Sequence, residues 1–265
     1  MTFLKKIWAD PRHFQIASLS TLLGILVYWG DFTPSPTLIS LTLLSVLLTQ
    51  LLFSAPLNHF DLKSPFITGL SLCLLLRVAE WWIYPLAAFI AISSKFVIRY
   101  DNKHIFNPAN IAIVSMLILL PEYSWISPGQ WGNHAWLAFL LASLAFLVLY
   151  KIPKADISLF FIGSYAALLF ARALWLGDPL EIPMHHLQSG AILIFAFFMI
   201  SDPKTTPDHR KGRFIFAFAV ALLGFTLQFG LQIRPGLFYA LTAISMITPF
   251  IDKWAPSPRY EWRKI

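Results

Sequence analysis

The stretch FNPANIAIVSMLILL, residues 106–120, joins a polar start containing a proline to an apolar run. Asn107 is predicted to cap a helix N-terminus, because its side-chain oxygen can accept a backbone N–H, and Pro108 suits the first helical position, where no N–H is needed. The start of a helix also carries a partial positive charge. The stretch therefore predicts a helix whose polar start either only closes a helix end or also holds a ligand.

The chain around this stretch is strongly apolar. Of its 265 residues, 57% are hydrophobic and only 12% are charged, whereas about 25% are charged in soluble domains. This composition predicts an all-α polytopic membrane protein. The single cysteine, Cys73, lies in an apolar run, which excludes an internal disulfide, a CxxCH haem site and a self-contained iron–sulfur cluster.

Apolar stretches long enough to cross a bilayer predict about ten transmembrane helices in one transmembrane domain, residues 1–265. The domain divides into an N-terminal region 1–13, a first half 14–130, a second half 131–252 and a cytoplasmic tail 253–265. The span at 108–121 is short and begins at FNPAN, and such segments often mark binding sites in membrane proteins. The predicted spans are centred on 14–30, 36–55, 65–78, 81–98, 108–121, 134–150, 155–174, 184–200, 213–230 and 236–251.

The distribution of Lys and Arg predicts the orientation of these spans. With both termini in the cytoplasm, only Arg77, Arg172 and Arg234 of the 20 Lys and Arg residues fall on the outer side. This asymmetry predicts a bacterial-type inner membrane protein surrounded by lipid. It also accounts for the net charge of +7 without nucleic acid as a partner.

A weak internal similarity recurs at an offset of five spans. FITGLSLCLLL, from Phe66, resembles LQSGAILIFAF, from Leu187, and FNPANIAI resembles IRPGLFYAL. Because five is odd, the pattern predicts two inverted five-helix repeats, with a site between them near the midplane. Chance similarity is the alternative.

Two polar stretches are predicted to lie on the cytoplasmic face, SKFVIRYDNKHIFNPAN at residues 94–110 and FFMISDPKTTPDHRKGRF at residues 197–214. Asp202 follows a long apolar helix, where a carboxylate is unfavourable unless it caps the next turn. The alternative interpretation is a stop signal, a solvated loop and cations retained by orientation alone. Lys95 differs from those cations because it lies at the very end of a span.

FNPAN followed about ninety residues later by FFMISDPKTTP, and then by KGRF, resembles one membrane family. This family contains the B subunit of the sodium-pumping NADH:quinone oxidoreductase and the D subunit of the Rnf electron-transport complex. The similarity covers roughly residues 64–255. A smaller branch, membrane proteins found with enediyne biosynthesis, is similar in length and in the WISPGQWG stretch at residues 125–132.

The resemblance implies a flavin. Many members hold FMN through a threonine in an SGAT motif, but this chain has SGAI at residues 189–192, predicted to lie inside the eighth span. No threonine occurs between Thr68 and Thr205, so covalent FMN is not expected. What remains is the family's second, non-covalent flavin site near the FNPA helix start, for riboflavin or FMN.

Negative charge on a reduced flavin would be stabilised by the helix start and by nearby cations. No catalytic residue and no metal site are predicted. The candidate cofactor-binding residues are Lys95, Arg99, His104, Phe106, Asn107, Pro108, Asn110, Asp202 and Lys204.

Histidines on the predicted outer side offer another candidate site. His185 and His186 begin the eighth span and His134 begins the sixth, and two histidines on facing helices can ligate a haem. Adjacent histidines on one helix point in different directions, so only one of the first pair would serve. An interfacial belt of Trp and His is the favoured interpretation.

These features favour a membrane electron-transfer subunit that binds flavin non-covalently and relays electrons between a cytoplasmic donor and a membrane or outer-side acceptor, with possible ion coupling through Asp202. Because the chain has no nucleotide fingerprint, it would be at most an oxidoreductase-type subunit that needs redox partner proteins. The alternatives are a solute transporter or channel with inverted repeats, and an assembly subunit with an empty pocket.

Overall fold

The computed structural model describes residues 10–29, 34–55, 61–127 and 154–260. Within these ranges the chain is largely helical. Two of the helices continue as π-helical segments, Phe195–Met199 after α8 and Thr226–Gly230 after α9. The helices are α1 (Pro11–Trp29), α2 (Pro36–Ser54), α3 (Lys63–Leu75), α4 (Ile83–Val97), α5 (Pro108–Leu119), α6 (Asp156–Leu176), α7 (Glu181–Leu187), α8 (Gly190–Ile194), α9 (Arg210–Phe225), α10 (Gly236–Ser245) and α11 (Thr248–Trp254).

Three described helical segments are long and apolar enough to cross a membrane: Pro36–Ser54, Asp156–Leu176 and Arg210–Gly230. A bent pair, Glu181–Leu187 with Gly190–Met199, would be a fourth. Shorter apolar helices occupy Lys63–Leu75, Ile83–Val97, Pro108–Leu119 and Gly236–Ser245, and each overlaps a predicted span. The predicted span at 134–150 and most of the N-terminal region 1–13 lie outside the described residues.

The chain is not purely α-helical. The span predicted at 65–78 leaves the helix after Leu75, and β1 (Leu76–Val78) pairs antiparallel with β4 (Ser124–Ile126). The pairing continues through hydrogen bonds from Ala79 N to Tyr123 O, 2.9 Å, and from Ser127 N to Leu75 O, 2.8 Å. An extended backbone inside a membrane protein needs such partners, because its N–H and C=O groups have no water there.

A short hairpin forms the second departure from helix. Its strands, β2 (Arg99–Tyr100) and β3 (Lys103–His104), are joined by Asp101 and Asn102. Both joining residues have positive φ, 48° and 61°, as a tight hairpin turn of this length requires. The hairpin connects the end of α4 to the start of α5.

The eighth predicted span, 184–200, is broken. Helices α7 and α8 are bent by 52° at Gln188 and Ser189. The SGAI stretch therefore begins at a break between two helices, whereas the sequence predicted it inside a continuous span. The tenth predicted span, 236–251, is similarly divided between α10, which ends at Ser245, and α11.

The helices pack in two similar groups. Helix α4 packs on α2 and α5, α9 packs on α6 and α10, and contact between α5 and α10 joins the groups. Close approach of α9 and α10 depends on Gly224, where an added Cβ would lie 2.5 Å from Leu237 Cδ2 and 3.2 Å from its Cα. The contact between α5 and α10 fixes the helix that begins at FNPAN.

Two ion-pair networks stabilise one end of the bundle. This end is called the motif face, and it consists of residues 10–12, 61–64, 95–108, 198–213 and 252–260. In the first, Arg12 bonds the carboxylates of Asp10 and Asp61, 2.8 and 2.7 Å away. In the second, Asp208 receives Lys103 at 3.0 Å and Lys154 at 2.6 Å. The first network ties the start of α1 to the segment before α3, and the second joins the two polar motifs through Lys103 and Asp208.

Candidate functional site

The start of α5 has the predicted cap. Asn107 is the N-cap residue, its Oδ1 accepts the N–H of Asn110 at 3.0 Å, and Pro108 follows in the first turn. The Nδ2 of Asn107 donates to the carbonyl oxygen of Met199, 3.3 Å away. The same side chain thus closes the helix start and joins the FNPAN motif to the FFMISDP motif.

A cavity of about 330 Å³ opens beside this helix start. Its volume lies at the small end of the range for small-molecule pockets, ~300–1,000 Å³. It is bounded by the ends of several helices on the motif face and by the loop after Phe198. Seven of the nine predicted site residues line it: Lys95, Arg99, His104, Asn107, Pro108, Asp202 and Lys204.

Lys95 places a buried ammonium group at this cavity, with only 6% of the residue exposed. Its Nζ donates to Ser64 Oγ at 2.9 Å and to Gln50 Oε1 at 3.3 Å, both neutral partners. Among the described residues, no carboxylate oxygen lies within 4.0 Å of this ammonium nitrogen, the limit for an ion pair. Asp61 and Asp202, which also line the cavity, attract this ammonium only from beyond ion-pair distance, so Lys95 still offers a positive group to an electron-rich ligand.

Asp202 closes the turn after the broken span, as one interpretation of the sequence predicts. Its Oδ1 accepts the N–H of Lys204 at 3.0 Å, and its backbone oxygen accepts the N–H groups of Thr205 and Thr206, both at 3.2 Å. Burial raises the pKa of Asp202, against the opposing effects of the Lys204 N–H and of nearby lysines. The ionised carboxylate is therefore less favoured at the cavity wall than in water.

The hairpin supplies His104 and Arg99. Burial, together with the neighbouring cations Arg99, Lys95 and Lys204, lowers the pKa of His104 to about 4. The ring is therefore neutral at pH 7. The guanidinium carbon of Arg99 lies 5.5 Å from the centre of the Phe96 ring, which fixes a second cation beside the cavity.

Two predicted site residues do not line the cavity. Phe106 is buried elsewhere, with 9% exposed. The Nδ2 of Asn110 donates to Phe238 O at 3.1 Å and Thr242 Oγ1 at 2.8 Å, so its amide holds α5 to α10. Asn110 lies about one helical turn beyond Asn107, and the packing of α5 on α10 decides which neighbour it meets. The sequence did not reveal that packing.

Sequence reasoning also missed residues that the cavity contains. The aromatic rings at its wall are Phe96 and Phe198, not Phe106. Gln50 and Ser64, the partners of Lys95, come from α2 and α3. Gln50 carried a usable signal, since an amide inside the apolar run VLLTQLLF is unusual for a membrane helix.

The predicted outer histidines lie apart from the cavity. The His186 Nε2 is 3.2 Å from the Tyr165 hydroxyl, which donates to Gln228 Oε1 at 2.9 Å, while His185 is exposed. The two rings thus face different surroundings, and His134 lies outside the described residues. No group of three or more potential metal ligands occurs in the ranges that the structure describes.

Comparison with known proteins agrees with the FFMISDP motif, whereas the FNPAN motif precedes the residues that the family model matches. A family model described as the NQR2, RnfD, RnfE family matches residues 124–261. The D subunit of an ion-translocating oxidoreductase complex from Erwinia tasmaniensis is 33% identical over 153 residues, 56% of this chain and 42% of that protein. Proteins of the same description from Escherichia coli O9:H4 and Shigella boydii serotype 18 are each 33% identical over 156 residues, 57% of this chain and 43% of those proteins.

The chain thus spans less than half the length of these relatives. The match to the family model covers more than half of the chain and includes the FFMISDP motif with its cavity-lining turn. The chain belongs to the NQR2, RnfD, RnfE family of membrane proteins.

Proposed function

We propose that this protein is a membrane electron-transfer subunit that binds a flavin, riboflavin or FMN, without a covalent bond in the cavity on the motif face. It relays electrons between a cytoplasmic donor and an acceptor in the membrane or on its outer side. Relatives named as subunits of an ion-translocating oxidoreductase complex support this class of function. Such a subunit acts with redox partner proteins.

The observation that carries the proposal is the meeting of Lys95 with the Asn107-capped helix start at one cavity. A flavin concentrates negative charge on one ring edge as it is reduced, and an ammonium group without a carboxylate partner complements that charge. The partial positive charge of the helix start acts in the same direction. The cavity therefore fits an electron-rich planar ligand electrostatically.

Different residues at the cavity would bind different parts of the flavin. Lys95 and the helix start would hold the electron-rich edge of the ring, and Phe96 and Phe198 would cover its faces. Bound there, flavin would supply one- and two-electron chemistry, which the side chains alone lack. Asp202 would hold a proton at the cavity wall, where it can balance charge during ion-coupled transfer.

The proposal extends to the arrangement in the membrane. We place residues 1–265 in one transmembrane domain of about ten spans in a bacterial inner membrane, with both termini in the cytoplasm. Two inverted halves would explain a repeated packing pattern. In the first half α4 packs between α2 and α5, and in the second α9 packs between α6 and α10. The motif face would then be cytoplasmic, where the donor protein docks.

A transporter or channel without redox chemistry is a second candidate function. The broken span α7–α8 favours it, as do Thr68 and Ser71, which line the cavity from the apolar helix α3. Electron relay accounts better for the buried ammonium of Lys95, whose hydrogen-bond partners are neutral. Solute flux in liposomes by flavin-free protein would instead support the transporter.

The test is the flavin content of the purified protein, read by absorbance and by mass analysis of released small molecules. Asn107→Ala removes the cap at the cavity and should lose flavin while still inserting in the membrane. Ser35→Ala is the matched control, because Ser35 caps α2 in the same way, through Leu38 N at 3.3 Å, but away from the cavity. Flavin absent from wild type, or retained equally by both variants, would contradict the proposal.

A further inference from the structure

A second cavity, of about 300 Å³, lies beside the first on the motif face. One of its walls is the hairpin β2–β3, and another is the segment after α11. His104 lines both cavities, so the two meet at this residue. The second cavity is thus adjacent to the proposed flavin site but is built largely from different residues.

Residues 255–260, the strap, form the outer wall of this second cavity through Pro256, Ser257 and Arg259. Two of the strap's contacts reach residues that line the two cavities. The Arg259 guanidinium donates to the backbone oxygen and the carboxylate of Asp101, at the tip of the hairpin. The carbonyl oxygen of Tyr260 accepts from Lys204 Nζ at 3.2 Å, and Lys204 lines the first cavity.

The contact between Arg259 and Asp101 is open to water. The side chains of Arg259 and Asp101 are 48% and 65% exposed, and ion pairs so open to water contribute little to stability. The deeper network around Asp208, by contrast, joins Lys154 and Asp208 side chains that are only 6% and 5% exposed. The strap can therefore release while the loops beneath it keep their positions.

We propose that the second cavity is the entrance to the first from the motif face, that the His104 ring partitions the two, and that the strap closes the entrance. Release of the Arg259 contact opens the route to the Lys95 ammonium and to the α5 helix start. The strap thus regulates access to the site. This role goes beyond the proposed function and does not depend on which ligand occupies the site.

The single cysteine makes the test direct. Cys73 is 0% exposed, so a second cysteine introduced at the cavity would report its own labelling. Ser201→Cys and Ser54→Cys each place a thiol at the first cavity, where the two serines are 3% and 2% exposed. The rate of labelling by a small, water-soluble thiol reagent on the purified full chain measures access to the cavity.

Arg259→Ala should raise the labelling rate at both reporters by about fivefold, the upper limit for loss of one exposed ion pair. Arg259→Lys, which keeps the charge, should keep labelling slow. Arg210→Ala is the matched control, since it removes a 76% exposed arginine on the same face that does not touch the strap, and it should leave the rate unchanged.

Three results would overturn the proposal: equal rates with and without Arg259→Ala, the same acceleration by Arg210→Ala, or no labelling of either reporter in the Arg259→Ala protein. Because the readout is thiol labelling, it does not require flavin. A protein without flavin but with strap-dependent labelling would refute the proposed function and leave the entrance intact. The converse result would refute only the entrance.

Discussion

Replacing Lys95 by methionine should strengthen the fold and weaken the site. Methionine keeps most of the aliphatic volume but removes an ammonium group whose hydrogen-bond partners, Ser64 and Gln50, are neutral. A buried ammonium group without an ion pair carries a desolvation cost that a methionine side chain does not. The unfolding temperature of Lys95→Met should therefore equal or exceed that of wild type.

Flavin binding should change in the opposite direction. A hydrogen bond to a charged group contributes about 1.5–3 kcal/mol, so loss of the Lys95 ammonium should raise the Kd for riboflavin or FMN by roughly 10- to 150-fold. The assay is quenching of flavin fluorescence during titration of the purified protein. Arg210→Met, which removes an exposed cation, controls for the change in net charge.

Lys154→Met is the matched control for stability. Lys154 is as buried as Lys95, at 5% against 6%, but its Nζ lies 2.6 Å from Asp208. Lys154→Met removes one of the two lysines that pair with the buried Asp208, and Lys103 remains 3.0 Å away, so the variant should unfold at a lower temperature, by less than the about 3–5 kcal/mol that loss of an only partner costs. An unchanged flavin Kd in Lys95→Met, or a loss of stability equal to that of Lys154→Met, would refute the assignment of Lys95 to a ligand.

Three further predictions concern groups around the site. Asp202→Asn should raise the unfolding temperature at neutral pH. Folding raises the pKa of Asp202, so above the unfolded value of 3.8 the ionised side chain destabilises the folded protein, and asparagine removes this cost. Unchanged stability at pH 7 would contradict this prediction. The pKa of His104 falls from 6.5 to about 4 on folding, so wild type should lose up to about 3 kcal/mol of unfolding free energy as pH drops through that window. His104→Gln should lack this component in acid unfolding curves, and parallel curves would refute it. Gly224→Ala should lower the unfolding temperature by an overpacking cost of about 1–3 kcal/mol, since its Cβ would meet Leu237, whereas Gly163→Ala, with open space around it, should be tolerated.

The sequence predicted the local features of the site well. The cap at Asn107 and the closing turn at Asp202 follow from short-range chemistry, and the structure has both. The apolar stretches also located the described helices to within a few residues. These features depend on neighbours in the chain, which a sequence displays directly.

What could not be predicted depends on partners distant in sequence. The strand after Leu75 exists because residues 124–126 supply its hydrogen bonds, and no local pattern in LRV indicates that pairing. Asn110 faces α10 and not the cavity because of how α5 packs. The break at Ser189 falls in the polar stretch HHLQSG, residues 185–190, a local signal that the prediction of a continuous span overlooked.

The central claim is that the cavity on the motif face holds a flavin ring against Lys95 and the start of α5. It is tested most directly by an experimental density map of the protein purified with its small molecules retained. The account predicts planar, three-ring density within hydrogen-bonding distance of Lys95 Nζ, between Phe96 and Phe198. A cavity filled by side chains or by a lipid tail, or a flavin bound elsewhere, would contradict it.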